Sequence, residues 1–293
     1  MKSGFFPLTR MATAVPSALL SVVAASAAAA DTLGQPTDKA WGLQGGVTQI
    51  RADQILFHTG LLWVITAIAL FVLALLITCI VRFNARSNPT PARWSHNTPI
   101  EIAWTVIPVV ILAVNAIFSF RLLFEEHDMP RPDLTVKVTG RQWNWDYEYP
   151  DQKIGAYTST VMTEADAKAA DKPYLLAANA PMIVPVNKVV RVQITAEDVI
   201  HSFSVPAFGV KLDAVPGRLN QTWFKATQTG VFYGQCSQLC GINHSYMPIE
   251  VHVVSQADFD AWVASKAPKA APTAVAAATP STAPGATAPT AVH

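Results

Sequence analysis

The sequence predicts a two-helix transmembrane hairpin followed by an all-β domain of the Greek-key barrel or sandwich kind. Three observations predict it. Leu61 to Val81 and Ile102 to Phe120 are uncharged apolar runs, each long enough to cross about 30 Å of hydrocarbon as a helix. From Asp133 to about Val254 the texture changes to short alternating runs broken by turn signals. The 293 residues are 51% hydrophobic and only 14% charged, too apolar for a soluble chain of this size. A net charge of +1 argues against a nucleic-acid partner.

The elements follow in order. Residues 1–30 have the make-up of an export signal: Lys2 and Arg10, then a small apolar run, then Ala28-Ala29-Ala30 as a cleavage site. Residues 31–56 form a segment ahead of the membrane, and 57–124 the hairpin. The loop between the spans carries Arg82, Arg86 and Arg93 and no acid. Acids lie outside both spans, so the loop is expected to be cytoplasmic and both termini on the far side. Thr98 is the expected N-cap of the second span, with Pro99 as first helical residue and Glu101 closing a capping box. Pro108 falls inside that span and is a candidate kink, and Asn115 is expected to face a protein partner rather than lipid.

Residues 125–262 are expected to form the β domain. Leu134-Thr135-Val136-Lys137-Val138 and Val189 to Ile194 alternate, and Pro216-Gly217 and Thr229-Gly230 mark turns. Trp143, Trp145, Tyr147 and Tyr149 have strict period two, which places them on one face of a strand. An aromatic core face explains most of that stripe, and a surface tryptophan would suit a contact with a partner. Residues 133–262 hold 13 acids and 10 bases, a net charge of −3. Asp146/Glu148 and Glu197/Asp198 are its acidic clusters, either solvated surface charge or a rim that steers a basic partner. Asp258 to Ser265 is a short closing helix, and residues 266–293 an Ala/Pro/Thr tail without the means to bury a core.

The chemistry concentrates between Cys236 and Met247, in Cys-Ser-Gln-Leu-Cys-Gly-Ile-Asn-His-Ser-Tyr-Met. His201 lies 35 residues ahead of Cys236. Sulfur and imidazole together select copper or zinc over hard cations, and structural zinc does not need methionine. Cys236 and Cys240 are four residues apart in an apparently exported domain, where a disulfide is also open. With His244 and Met247 beside them, two thiolates bridging two copper ions become the sharper reading. Cys79 lies in an apolar run and is most simply a small buried hydrophobe.

Taken together, these residues resemble subunit II of haem–copper cytochrome c oxidases, of bacterial type. The resemblance rests on the two-span hairpin, Gln142-Trp143-Asn144-Trp145, His201-Ser202-Phe203, Asp213 to Gln221 and the Cys236–Met247 run, over roughly residues 40–262. It implies a cupredoxin-like domain with the binuclear copper centre CuA. It implies that Cys236 and Cys240 bridge the coppers, that His201 and His244 ligate one each, and that Met247 and the backbone carbonyl of Gln238 are weak ligands. Trp143 would accept electrons from cytochrome c, and Glu148 and Asp198 would dock it. Glu101 would stand at the mouth of a proton path, and Asp213 and Arg218 at the boundary with subunit I. Electrons would go on to haem in subunit I, where oxygen reduction is coupled to proton pumping. The implied partners are subunit I, the other oxidase subunits, cytochrome c and the membrane. The implied location is the bacterial inner membrane, with the CuA domain periplasmic.

One departure concerns Gln238, where the family usually has glutamate holding a magnesium ion at the subunit I boundary. A glutamine oxygen lacks the charge, so a weak magnesium site is expected. The alternative function is a membrane copper-delivery chaperone, but two spans, a β-rich domain and the His244–Met247 pattern argue against it.

Overall fold

The computed structural model describes residues 34–266. The expected export signal and the tail beyond Lys266 lie outside the described residues.

Two long helices come first. Helix α1 (Gln49–Arg82) has 34 residues and helix α2 (Thr98–His127) has 30, about 50 Å and 45 Å long. Thr48 caps α1 by accepting from Arg51 N. The cap of α2 is Asn97 and not Thr98: its extended backbone lets its side-chain oxygen accept from Ile100 N, and Glu101 reaches back to accept from Asn97 N at 3.2 Å. The box therefore closes one residue earlier than the Thr98 pattern predicts. Pro108 is accommodated within a continuous helix. Beyond the buried Ile50 and Arg51 at the start of α1, both helices present mostly exposed apolar surface, as suits lipid or a partner.

Ten strands follow. One sheet runs β3-β2-β1-β5-β8, built from β1 (Leu134–Arg141), β2 (Asn144–Tyr149), β3 (Ile154–Ser159), β5 (Val190–Ala196) and β8 (Asn220–Phe224). The other runs β4-β10-β9-β6-β7, from β4 (Met182–Pro185), β6 (His201–Val205), β7 (Val210–Ala214), β9 (Gly230–Cys236) and β10 (Pro248–Val254). The β1/β5 and β4/β10 pairs are parallel; the other pairs are antiparallel. Parallel neighbours far apart in sequence close the sandwich, and Val136, Val138, Val192, Ile194, Phe203, Phe224, Phe232 and Val251 fill it. Alternating burial along β5 matches its alternating sequence.

The aromatic stripe divides. Trp145, Tyr147 and Tyr149 are fully buried on β2, as period two predicts. Trp143 does not join them. It occupies the two-residue turn between Arg141 and Asn144, which pair across the β1–β2 hairpin. Hairpin closure overrides the pattern and turns this ring out of the core.

Four additions brace the sandwich. Residues 34–48 cross it as a strap: Tyr233 N donates to Gly34 O, Val47 N to Ala207 O, and Thr227 N to Val47 O. Gln54 on α1 joins Glu126 on α2 and the carbonyl of Gly209, so both helices are tied to the β domain. The segment between β3 and β4, with a short helix α3 (Glu164–Ala169), covers the outer face of β9 and β10. Buried Glu250 anchors that cover by accepting from Lys172 Nζ at 2.6 Å, Ala178 N at 2.7 Å and His252 Nε2 at 2.7 Å. Helix α4 (Gln256–Lys266) closes the domain, packing Phe259 and Trp262 on Tyr149.

Candidate metal centre

The centre lies at one end of the sandwich, where three loops meet. His201 opens β6 and Cys236 ends β9. These strands are neighbours, and Phe203 pairs with Cys236, so strand register brings residues 35 apart in sequence together. Beyond Cys236 the chain turns back on itself. Ser237 N donates to Ser202 O, and Cys236 N donates to Met247 O where β10 begins. The Cys236–Met247 run is thereby folded over a single spot.

The donor atoms converge there. The ligand atoms of His201, Cys236 and Cys240 all lie within 4.8 Å of one another, and all three residues are buried. The two sulfurs are 3.9 Å apart, far beyond the ~2.05 Å of a disulfide, and both thiols are free. His244 Nδ1 is 3.5 Å from Cys240 Sγ, and the Gln238 carbonyl is 3.3 Å from Cys236 Sγ. Met247 is fully buried. His201 Nδ1 is buried and has no hydrogen-bond partner, while its Nε2 meets Asp198 Oδ1 at 2.9 Å. Such an inward-facing nitrogen is costly unless a cation or donor fills the space before it.

Electrostatics agree. Burial pushes the Cys240 thiol up to about 12, and the adjacent Cys236 sulfur adds to the effect. Burial also opposes ionisation of Cys236, but the adjacent His201 imidazole and the Ser202 and Gln238 backbone outweigh it and bring the thiol down to about 7. One thiolate forms readily and the second needs positive charge beside it. Two soft sulfurs, an unpartnered imidazole nitrogen and a nearby thioether fit a pair of copper ions.

Glycine makes room at two points. A Cβ on Gly140 would lie 3.0 Å from the His201 ring and 3.1 Å from that of Trp145. Gly241 has φ +128, and a Cβ there would lie 2.9 Å from the Trp143 ring. Trp143 therefore packs on the Cys240–Gly241 backbone, and its Nε1 donates to Cys240 O at 3.3 Å. Gln142 Nε2 donates to the same carbonyl at 2.8 Å. Sequence reasoning quoted Gln142 only as part of a motif and gave it no role. Its position before a turn tryptophan was the available signal.

The other expected residues lie elsewhere. Glu101 sits in the first turn of α2. Glu148 on β2 pairs with Lys137 at 3.2 Å. Asp213 is exposed on β7 opposite Ser202, and Arg218 is exposed in the turn before β8. Asp198 lies exposed at the rim, with both carboxylate oxygens hydrogen-bonded. Burial raises its carboxyl, but hydrogen bonds from His201, Val199 N and Gln142 N outweigh burial and hold it below the usual carboxylate range. Around the centre, Leu239 is 77% and Ile242 87% exposed, an apolar rim open to a partner.

Comparison with known proteins agrees with this arrangement. Residues 134–254 match the family described as cytochrome c oxidase subunit II, periplasmic domain, and residues 36–122 match its transmembrane domain. A probable cytochrome c oxidase subunit 2 from Rickettsia bellii is 49% identical over 232 residues, covering 79% of this chain and 86% of the relative. Cytochrome c oxidase subunit 2 from Cereibacter sphaeroides is 45% identical over 264 residues, covering 83% and 87%. The crystal structure of the periplasmic domain of subunit II of cytochrome oxidase from Bradyrhizobium japonicum shares 54% identity, covering 47% of this chain and 96% of that one, with a TM-score of 0.43. With a membrane hairpin, a cupredoxin-like sandwich and a sulfur–imidazole centre between its loops, the chain belongs to the cytochrome c oxidase subunit II family.

Proposed function

We propose that this subunit receives electrons from cytochrome c at a binuclear CuA centre and delivers them to haem in subunit I, for oxygen reduction coupled to proton pumping. The observation that carries the reading is the convergence of His201, Cys236 and Cys240 donor atoms within 4.8 Å, with His244 beside them. Cys236 and Cys240 would bridge the two ions, His201 and His244 would hold one each, and Met247 and the Gln238 carbonyl would be weak ligands. When bound, the pair supplies a one-electron acceptor with shared charge. The residues do the rest. Burial in a rigid sandwich keeps water from the thiols and limits rearrangement. Trp143 offers a half-buried ring whose N–H bonds the Cys240 carbonyl, a short hydrogen-bonded route from the surface to a ligand.

The same reading assigns export and cleavage of the first 30 residues, a bacterial inner-membrane location and a periplasmic β domain. It places Glu101 at the mouth of a proton path, Asp213 and Arg218 against subunit I, and a weak magnesium site by Gln238.

Copper analysis and electron paramagnetic resonance on the full chain in detergent test the reading. Two coppers per chain with one unpaired electron shared over both are expected. One copper with a localised signal, or a Cys236–Cys240 disulfide without copper, overturns it.

The docking face yields a second prediction. Arg141 pairs with exposed Glu197 at 2.7 Å and buried Asp146 at 3.3 Å, two residues before Trp143, which mutes both acids. Arg141→Gln is expected to lower KM for a basic cytochrome c about two- to fivefold at low salt and steepen its salt dependence. Unchanged KM and salt slope in steady-state assays would remove Arg141 from the docking face.

A further inference from the structure

We infer that the start of helix α1 holds one phospholipid headgroup: the Arg51 guanidinium, clamped beneath the strap, takes the phosphodiester, and exposed Trp41 enters the same layer of the membrane. The inference needs only the membrane hairpin and is independent of the copper reading.

A buried cation without a counter-charge carries it. Arg51 is only 7% exposed. Its Nε donates to Gln44 O at 2.9 Å and its Nη1 to Gln54 Oε1 at 3.1 Å. A guanidinium has five N–H donors, so three have no partner among the described residues. No carboxylate among those residues pairs with it. Asp53 accepts from Gln49, and Glu126 from Gln54 Nε2, so the acids of this junction are turned to amides. Gln44 adds to the surplus of donors, because its side-chain Nε2 is buried and has no partner. Such a surplus is costly unless a ligand supplies both acceptors and negative charge. A phosphodiester supplies one charge and two free oxygens, which match the guanidinium fork.

Depth selects a lipid as the source of that phosphate. Arg51 and Arg82 stand 31 residues apart on one continuous helix, about 46 Å. A bilayer with its headgroup layers is about 40–45 Å thick. The two arginines thus bracket a membrane, each at headgroup depth, with the apolar run between them. Trp41 lies three residues ahead of Gln44 and is 88% exposed, and tryptophan favours this boundary. Leu56, just past Arg51 on the way into the span, is exposed and can meet an acyl chain.

The junction is rigid. Val47 N donates to Ala207 O and Thr48 Oγ to Phe208 O, so the strap is fastened on both sides of the turn at Pro206–Phe208. A Cβ on Gly46 would overlap the Arg51 side chain and crowd Ala207 O, so glycine lets the strap close over the arginine. The metal centre is a strand away. From His201 to Ala207 the chain runs six residues, about 20 Å, which separates headgroup binding from electron transfer.

Native mass spectrometry tests the inference, on the full chain and on the assembled oxidase, each released from nanodiscs of phosphatidylcholine and phosphatidylglycerol. The wild type is expected to retain one phospholipid. Arg51→Gln should weaken retention about tenfold or more, the effect of losing charge-assisted hydrogen bonds, and Arg51→Lys should restore part of it. Trp41→Ala, at an exposed position that leaves the fold intact, should weaken retention several-fold. Unchanged cytochrome c turnover in the assembled oxidase serves as the folding control for all three variants. Equal retention by wild type, Arg51→Gln and Trp41→Ala would overturn the inference. Complete displacement by excess inorganic phosphate would mark a free-anion site and overturn the lipid assignment. Loss of the lipid from the wild type on assembly with the other subunits would give the guanidinium to an acid of a neighbouring subunit and overturn it equally.

Discussion

Cys240→Ser is expected to stop electron input from cytochrome c while leaving the fold standing. Cys240 is buried with its sulfur 3.9 Å from that of Cys236 and 3.5 Å from His244 Nδ1. A serine oxygen is hard and holds its proton, so the site would lose one of its two soft sulfur donors. Removing an outer-shell partner of a metal ligand costs about 10–100-fold, and loss of a bridging ligand should exceed that. The oxidase should keep its haems yet oxidise cytochrome c more than about 100 times more slowly. The fold should tolerate the change, because the Cys240 backbone carbonyl, which anchors Gln142 and Trp143, is untouched. Copper content, the paramagnetic signal and turnover check the prediction, with thermal melting of the copper-free chain as control. Two retained coppers with near-normal turnover would show that Cys240 is no bridge.

The second large effect lies away from the centre. Glu250→Ala should destabilise the β domain by about 3–5 kcal/mol, the usual consequence of removing one partner of a buried ion pair. Glu250 is fully buried and receives bonds from Lys172, His252 and Ala178 N. Without it, three donors lose their acceptor and the segment between β3 and β4 loses its anchor. Burial pushes the Glu250 carboxyl up, but the bonds from His252, Lys172 and Ala178 N outweigh burial and hold it below the ordinary glutamate value. A lowered folded-state value means the carboxylate contributes stability in full above the unfolded value near pH 4.3, and loses it as pH falls through the folded value. Part of the acid-induced fall in melting temperature seen in the wild type should therefore be missing in Glu250→Gln. Melting curves from pH 3 to 7, with limited proteolysis around residues 160–181, test both points. Equal melting temperatures for wild type and Glu250→Ala would refute the anchoring role.

The contrast between these two sites shows what a sequence discloses. Local chemistry was legible. Cys236, Cys240, His244 and Met247 fall within one short run, and two uncharged spans stand out against a β-patterned remainder. His201 stands out as a distant imidazole, but its place beside Cys236 depends on strand register. Non-local chemistry was hidden. Nothing in the spacing of Lys172, Ala178, Glu250 and His252 announces a buried junction, because it arises only when a crossing segment meets the outer face of β10. Glu197 and Asp198 look alike in the sequence, but the β5–β6 loop sends Glu197 to Arg141 and lets Asp198 accept from His201 Nε2 and Gln142 N. Trp143 fitted an aromatic repeat until hairpin closure set it apart, and the repeat alone could not say where the turn falls.

The strap across the sandwich has a consequence for the order of events during biogenesis. Val47 accepts from Thr227, 180 residues later, and Thr48 donates to Phe208, 160 residues later. Contacts at such separations form late, because a long loop must close before they gain anything. The ribosome must have released Thr227 before the start of α1 can be fastened to the domain. A nascent chain thus holds its first helix in the bilayer while the polypeptide that will secure it is still unmade. Secure attachment of that helix therefore reports that the chain through β8 has been synthesised and folded.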